Sequence, residues 1–440
     1  MRKPRTGKQR LSGKLIRFSS ILEGLTSWNA RVPQESRSRR LHRRQRPRLL
    51  HEGDLSLLNW EAVGFYILIR IVALMIRSRT LSWLVVLVLG PVGAFASTNQ
   101  LLASPFSSLG GKQEEDPVAN DHPVPDSELW LTYAGQDGPG KGKHIVLIAA
   151  EQEYRSEQSM PMLARLLSQR HGFDCTVLFC VNEQGEVDPT QPAPFEDKSK
   201  LHRIPGLKYL QTADCVIWLS RFMQLTDEDK QHFHDYFDSG KPLIALRTAN
   251  HGFWGGAPYQ KDGTNVSLRD LLGGTFKGHH GGWHREATRG IIVEKNHEHP
   301  ILTGVDDIWG TSDVYRCHDD NYPFPDDCTA LVLGQPLVNL EPDAPANKDK
   351  EPLPVAWVKT WTGNHGKASR IFHFTMGSAE DFANAGVRRL TINAVYWGLG
   401  MEDALTPELS VDIVGDYQPL PAGFNYEKLG VEPHKPAFYR

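Results

Sequence analysis

The 440-residue chain carries 49 Lys and Arg against 52 Asp and Glu, for a formal charge of −3. The charge is unevenly placed: the first fifty residues hold 15 Lys and Arg against 2 Glu, or +13, which leaves −16 on the remainder. An acidic body argues against a nucleic-acid partner, because binding to phosphate backbones rests on clustered basic side chains.

The first fifty residues, a basic arm, carry only two aromatics, Phe18 and Trp28, and few periodic apolar residues, and residues 1–74 read as a disordered segment or an over-extended start. From Met75 there follow two arginines, an apolar run from Leu81 to Leu89, a Gly-Pro break and Ala94-Phe95-Ala96. That is the pattern of a secretory signal peptide over 75–96, and it implies an exported, periplasmic protein. The competing reading is a membrane anchor through residues 62–96, although each apolar run there is shorter than the ~20 residues that span a bilayer. Residues 97–141, rich in Ser, Gly, Pro, Asp and Glu, read as a linker.

Residues 142–401 suffice for one large α/β domain. Strands are expected at His144–Ala150, Phe173–Val181, Ala213–Leu219 and Pro242–Leu246, with a helix starting near Ser159 and Pro161 and another opened by Thr226. Strands alternating with helices predict a parallel, doubly wound sheet. Beyond residue 253 the pattern changes: Arg289–Glu294, Thr329–Leu333, Val355–Trp361 and Arg370–Phe374 read as strands with little helix between them, an extension or antiparallel annex. Ser378 is expected to cap a last helix, closed by Gly398 and Gly400. Residues 402–440 are too polar and proline-broken for a helix and predict an extended tail, its aromatics Phe424, Tyr426, Phe438 and Tyr439 docked on the domain.

Candidate chemistry gathers at the carboxyl ends of the parallel strands, where open α/β sheets bind ligands. Pro242–Leu246, continuously apolar, predicts a central strand that delivers Arg247, Asn250 and His251 into the crevice. Glu153 and Arg155 follow the first strand, and Arg221 follows the third; Glu153 is the candidate general base and His251 the candidate proton carrier. The segment KGHHGGWHREATR places His279, His280 and His284 within six residues beside Trp283, whose ring offers a face for a sugar. The three histidines could ligate zinc, with His297, His299 or Glu286, though their spacing fits none of the strong zinc signatures. Otherwise no cofactor is expected. Asp313 and Tyr315 could reach the crevice or could serve a sheet edge. Cys317 and Cys328 flank a proline-rich loop that a disulfide would close in an oxidising compartment, while Cys175, Cys180 and Cys215 read as buried thiols.

Four phrases, ADCVIWLSRF, GKPLIALRTANHGF, HEHPILTGV and RIFHFTMGSAEDFANAGVRRLTINAVYWGLG, occur in that order between Lys143 and Gly400. In their order and spacing the chain resembles the ThuA-like (trehalose-utilisation) family of the class I glutamine amidotransferase-like superfamily, and its exported form is similar to members from planctomycete-type bacteria. The resemblance implies a three-layer, flavodoxin-like α/β domain with a mostly parallel sheet, and an association with sugar utilisation. Amidotransferase-like enzymes place a nucleophilic cysteine at the elbow after the central strand. Arg247 stands there instead, where many ThuA-like proteins have His, and a guanidinium cannot attack a carbonyl. The leading expectation is therefore an exported protein acting on a carbohydrate or oxidised sugar derivative by His/Glu acid-base chemistry, with Arg247, Asn250, His279, His280 and Trp283 holding the substrate. A non-catalytic sugar-binding protein and a metal-dependent hydrolase built on His279, His280 and His284 are the alternatives.

Overall fold

The computed structural model describes residues 122–440; the basic arm, the signal-peptide pattern and the first part of the expected linker lie outside the described residues. Ten strands form one sheet: β1 (Trp130–Tyr133), β2 (His144–Ala150), β3 (Asp174–Phe179), β4 (Cys215–Ser220), β5 (Leu243–Leu246), β6 (Thr288–Ile292), β7 (Trp309–Gly310), β8 (Cys328–Pro336), β9 (Leu353–Thr362) and β10 (Ala368–Phe374). Their spatial order is β1-β3-β2-β4-β5-β10-β9-β8-β6-β7. Strands β3, β2, β4, β5 and β10 run parallel. The strands outside this core pair antiparallel, β1 on one edge and β9, β8, β6 and β7 on the other; β6, β8 and β9 are the annex expected from the sequence, whereas Arg370–Phe374, expected with them, pairs parallel with β5 as β10 and belongs to the core.

Within the parallel core, the order of the strands relative to the chain is that of a flavodoxin-like sheet. The switch point, where the winding reverses, falls between β2 and β4. Helices α1 (Ser156–His171) and α3 (Ala385–Gly398) cover one face and α2 (Asp227–Asp238) the other, giving three layers. Alternation along β2 serves both: Ile145, Leu147 and Ala149 pack with α1 and α3, whereas Val146, Ile148 and Ala150 pack with α2. Burial on both faces is why the strand reads as an unbroken apolar run. Among the described residues no helix is long and apolar enough to cross a membrane.

Several boundaries differ from the sequence reading. Helix α1 starts at Ser156, three residues before Ser159, and takes Pro161 into its interior. The cause is local: the Glu151 carboxylate accepts the N–H groups of Glu153 and Tyr154, and Ser156 Oγ bonds the backbone of Glu151, so the turn closes early. Ser378 opens only a 3-10 turn, and Asn384 caps α3 through the N–H of Val387. Residues 130–133 of the expected linker are an edge strand, too short to show an apolar period. The tail is mostly irregular as expected, but Tyr426–Leu429 forms one helical turn.

All five cysteines are free, which corrects the expected Cys317–Cys328 bridge. Both thiols join a small apolar cluster around Trp357, where Cys317 Sγ accepts from Asn250 Nδ2 at 3.4 Å and Cys328 Sγ faces Asp327. The loop between them is held by Phe324, packed against Trp357 and His318.

Among the histidines buried inside the domain, His144 is bonded to Thr176 Oγ1, His171 to Tyr396 Oη and His373 to the carbonyl of Ala245. Burial pushes His144 and His171 down to about 4 and His373 to about 3. The unfolded chain therefore takes up these protons first, near the ordinary value of ~6.5. Their contribution is complete above that pH and is lost as pH falls toward about 4. Glu151 and Glu157, raised by burial to about 7 and about 6, and Glu380, raised likewise, act in the opposite sense, but they are outnumbered once His202, His251, His299 and His318, also lowered by burial, are included. We expect urea unfolding to show stability falling by on the order of a few kcal/mol between pH 7 and 4. A midpoint constant over that range would contradict this.

Candidate functional site

Strand β5 ends at Leu246, and Arg247 begins a 3-10 turn to His251 with φ of 44°, a left-handed backbone that non-glycine residues seldom adopt. The strained elbow is present, yet its side chain points inward. Arg247 is fully buried and donates Nη1 to the carbonyls of Asp313 and Thr375, each at 2.7 Å, and Nη2 to Asp313 Oδ1 at 2.7 Å and Tyr154 Oη at 3.0 Å. Its guanidinium also lies 3.7 Å from the ring centre of Tyr315 and 4.5 Å from that of Tyr154. So Arg247, expected to hold substrate, instead ties together the turn after β2, the 311–315 segment and the end of β10. Its Nη donors are spent on the protein, and its Nε, also buried, has no hydrogen-bond partner among the described residues.

The second oxygen of Asp313 carries the consequence. Oδ2 sits 2.8 Å from His279 Nδ1, and the His279 side chain is 35% exposed while that of Asp313 is 1% exposed. Burial alone would raise Asp313, but the charge of Arg247 and the bond to His279 hold it below the usual carboxylate range. The 311–315 segment is itself fixed from behind, because Asp381 accepts the Ser312 N–H and hydroxyl as well as the N–H groups of Gly377 and Ser378. This leaves an imidazole with one nitrogen anchored to a buried carboxylate and Nε2 without a protein partner among the described residues.

Glu153 lies in the turn after β2 as expected, but it is occupied. Its Oε1 accepts from Trp283 Nε1 at 2.7 Å and contacts His284 Nε2 at 2.9 Å. Burial would raise its carboxyl; His284, Arg221 and Trp283 together lower it below the ordinary value. A carboxylate so held orients Trp283, whose indole is 43% exposed, and it is a weak base.

His251 sits among Phe222, Phe276 and Tyr315, with ring centres 4.9, 4.8 and 6.0 Å away. Its Nδ1 bonds Asn250 Oδ1 at 2.7 Å, and Asn250 is in turn engaged with Cys317. Burial, reinforced by Arg221 and Arg247, keeps the ring well below the ordinary histidine pKa and hence neutral. His279 stands against the same Phe276 and Tyr315, at 5.1 and 5.6 Å, so the two imidazoles share one aromatic wall.

The remaining histidines diverge. His280 bonds the carbonyl of Glu351 and His284 bonds Glu153, while His279 bonds Asp313, so the three expected zinc ligands have three separate partners. Among the described residues no three His, Cys, Asp or Glu side chains converge as a metal would require. Arg221 lies with its Nε 3.2 Å from buried Glu151.

A cleft of about 250 Å³ opens beside this group, lined by Tyr154, His284, Ser312, Asp313, Glu380 and, from the tail, Ala422. Tyr154, Glu380 and the tail were not singled out as site residues from the sequence. Only Tyr154 carried a usable signal, since it sits between Glu153 and Arg155 at the switch point.

No curated protein matches the chain. A ThuA-like protein from Bacteroides uniformis is 17% identical over 62% of this chain and 98% of its own, with a TM-score of 0.37. One from Parabacteroides merdae is 14% identical over 65% of this chain and 96% of its own, with a TM-score of 0.36. The model of the family described as ThuA, trehalose utilisation, matches residues 145–398, more than half of the sequence and all of the parallel core, and the chain therefore belongs to the ThuA family.

Proposed function

We propose that this protein acts on a neutral carbohydrate or oxidised sugar derivative by proton transfer, with His279 as the proton carrier. The observation that carries the reading is the chain of contacts Arg247, Asp313, His279. A buried, charge-balanced carboxylate bonded to one imidazole nitrogen fixes the tautomer, leaves Nε2 as the base and stabilises the imidazolium that forms when Nε2 accepts a proton. Neutral His251 then serves as a hydrogen-bonding partner for a hydroxyl, and Trp283, held by Glu153, offers its face to a sugar ring.

Charge supports a neutral substrate. Asp313 and Glu380 line the cleft, Glu153 stands behind His284 and Trp283, and the N-terminal turn of α1, where a phosphate would bind, is filled by the Glu151 carboxylate. The family's link to trehalose utilisation makes a sugar the natural first substrate.

The test is incubation with trehalose, glucose and their oxidised derivatives in deuterated water, read by NMR. Turnover, or deuterium entering a carbon-bound position of an oxidised sugar, is the expected result. Sugar binding without either outcome would leave a binding protein, and absence of binding to every sugar would reject the carbohydrate reading.

A further inference from the structure

The C-terminal tail is anchored across the crevice rather than laid over a remote surface. Leu420 N–H donates to Gln158 Oε1 at 2.9 Å, Ala422 N–H to Glu380 Oε2 at 3.1 Å and Gly423 N–H to the carbonyl of Glu153 at 2.9 Å, while Arg155 Nη2 donates to the carbonyl of Gly423. These anchors come from the turn after β2, from α1 and from the segment after β10. Farther along, Val187 and His434 exchange both backbone hydrogen bonds and Tyr439 packs on Phe179. The segment is pinned on both sides of the crevice, which makes it a wall.

Gly423 is built for this place. Its φ is 143°, open to glycine, and a Cβ there would meet the His284 ring at 3.4 Å. The turn it permits delivers Phe424, whose ring centre is 6.4 Å from that of Trp283 and 4.8 Å from the Arg221 guanidinium. Trp283 and Phe424 remain 43% and 41% exposed, although Trp283 is held by its bond to Glu153 and Phe424 lies against Arg221. Two large, half-bare aromatic faces inclined at 46° to each other make a shallow angle that suits a ring with apolar faces and a polar rim.

We propose that residues 420–424 form the outer wall of the site and that Phe424 determines specificity, by stacking on the part of a neutral sugar that lies beyond the ring at His279. This rests on the carbohydrate reading above. The surrounding carboxylates disfavour an anionic group there, and Arg221 is already beside Glu151.

The experiment is calorimetric titration of the full chain with trehalose and with glucose, for wild type, Phe424→Ala, Phe424→Trp and Phe438→Ala. Phe438 belongs to the same tail but is 65% exposed and stacks on His434, so it controls for general disturbance. Phe424→Ala should weaken trehalose roughly three- to tenfold and glucose less than about twofold, the yield of one aromatic stacking contact. Phe424→Trp should restore binding, and Phe438→Ala should leave it unchanged. If wild type binds trehalose and Phe424→Ala binds it equally, or if both sugars weaken alike, the specificity role is wrong while the carbohydrate reading stands. If wild type binds neither trehalose nor glucose, the role of Phe424 in stacking on a neutral sugar is wrong, while the carbohydrate reading is decided separately by the oxidised derivatives tested above.

Discussion

Replacing Arg247 with alanine is expected to destabilise the fold by about 3–5 kcal/mol, the range found when one partner of a buried ion pair is removed. The Asp313 carboxylate would lose the guanidinium that keeps it ionised, and the carbonyls of Asp313 and Thr375 would lose buried donors. Arg247→Lys should recover only part of this, since an ammonium cannot reproduce a planar fork that reaches Tyr154 and Asp313 together. Urea unfolding measures it. The double variant Arg247→Ala/Asp313→Ala should cost less than the sum of the single changes, because no charge is then left stranded. A loss below about 1 kcal/mol for Arg247→Ala would show that the pair does not hold the crevice walls.

For His279→Ala the balance is the reverse: a smaller loss of stability than for Arg247→Ala, about 1–2 kcal/mol for the buried Asp313 oxygen left without its partner, and turnover lowered by roughly a hundredfold or more. Asp313→Asn should lower turnover as well, by removing the charge that stabilises the imidazolium, with a larger effect on kcat than on KM. The decisive comparison is with His251→Ala and Glu153→Gln. These residues were the proton carriers expected from the sequence, and the structure gives them partners suited to holding a hydroxyl and orienting Trp283. A hundredfold loss in His251→Ala or Glu153→Gln together with an active His279→Ala would move the proton transfer away from the Asp313 dyad.

The two effects are linked through one carboxylate. Asp313 Oδ1 serves the fold through Arg247 and Oδ2 serves the site through His279, so the charge that stabilises the crevice is also the one that prepares the base.

Patterning along the chain determined most of the architecture. The parallel strands appear as short apolar runs because they are buried on both faces, Thr226 caps its helix through its side chain, and the change of pattern beyond residue 253 marks the antiparallel annex. Those features are local, governed by periodicity and by hydrogen bonds between near neighbours. The crevice was legible to the same extent: the turns bearing Glu153, Arg221 and Arg247 are strand ends, and strand ends of a doubly wound sheet converge. What each side chain does there was decided only by contacts between residues far apart in sequence. Arg247 faces Asp313 and Thr375, Glu153 faces Trp283 and His284, and Gly423 meets Glu153. His279 and His280 are adjacent, yet the alternation of one extended segment sends the first to Asp313 and the second to Glu351. Composition and spacing supply the donors and acceptors, and only long-range packing settles which of them are consumed by the protein and which are left for a substrate.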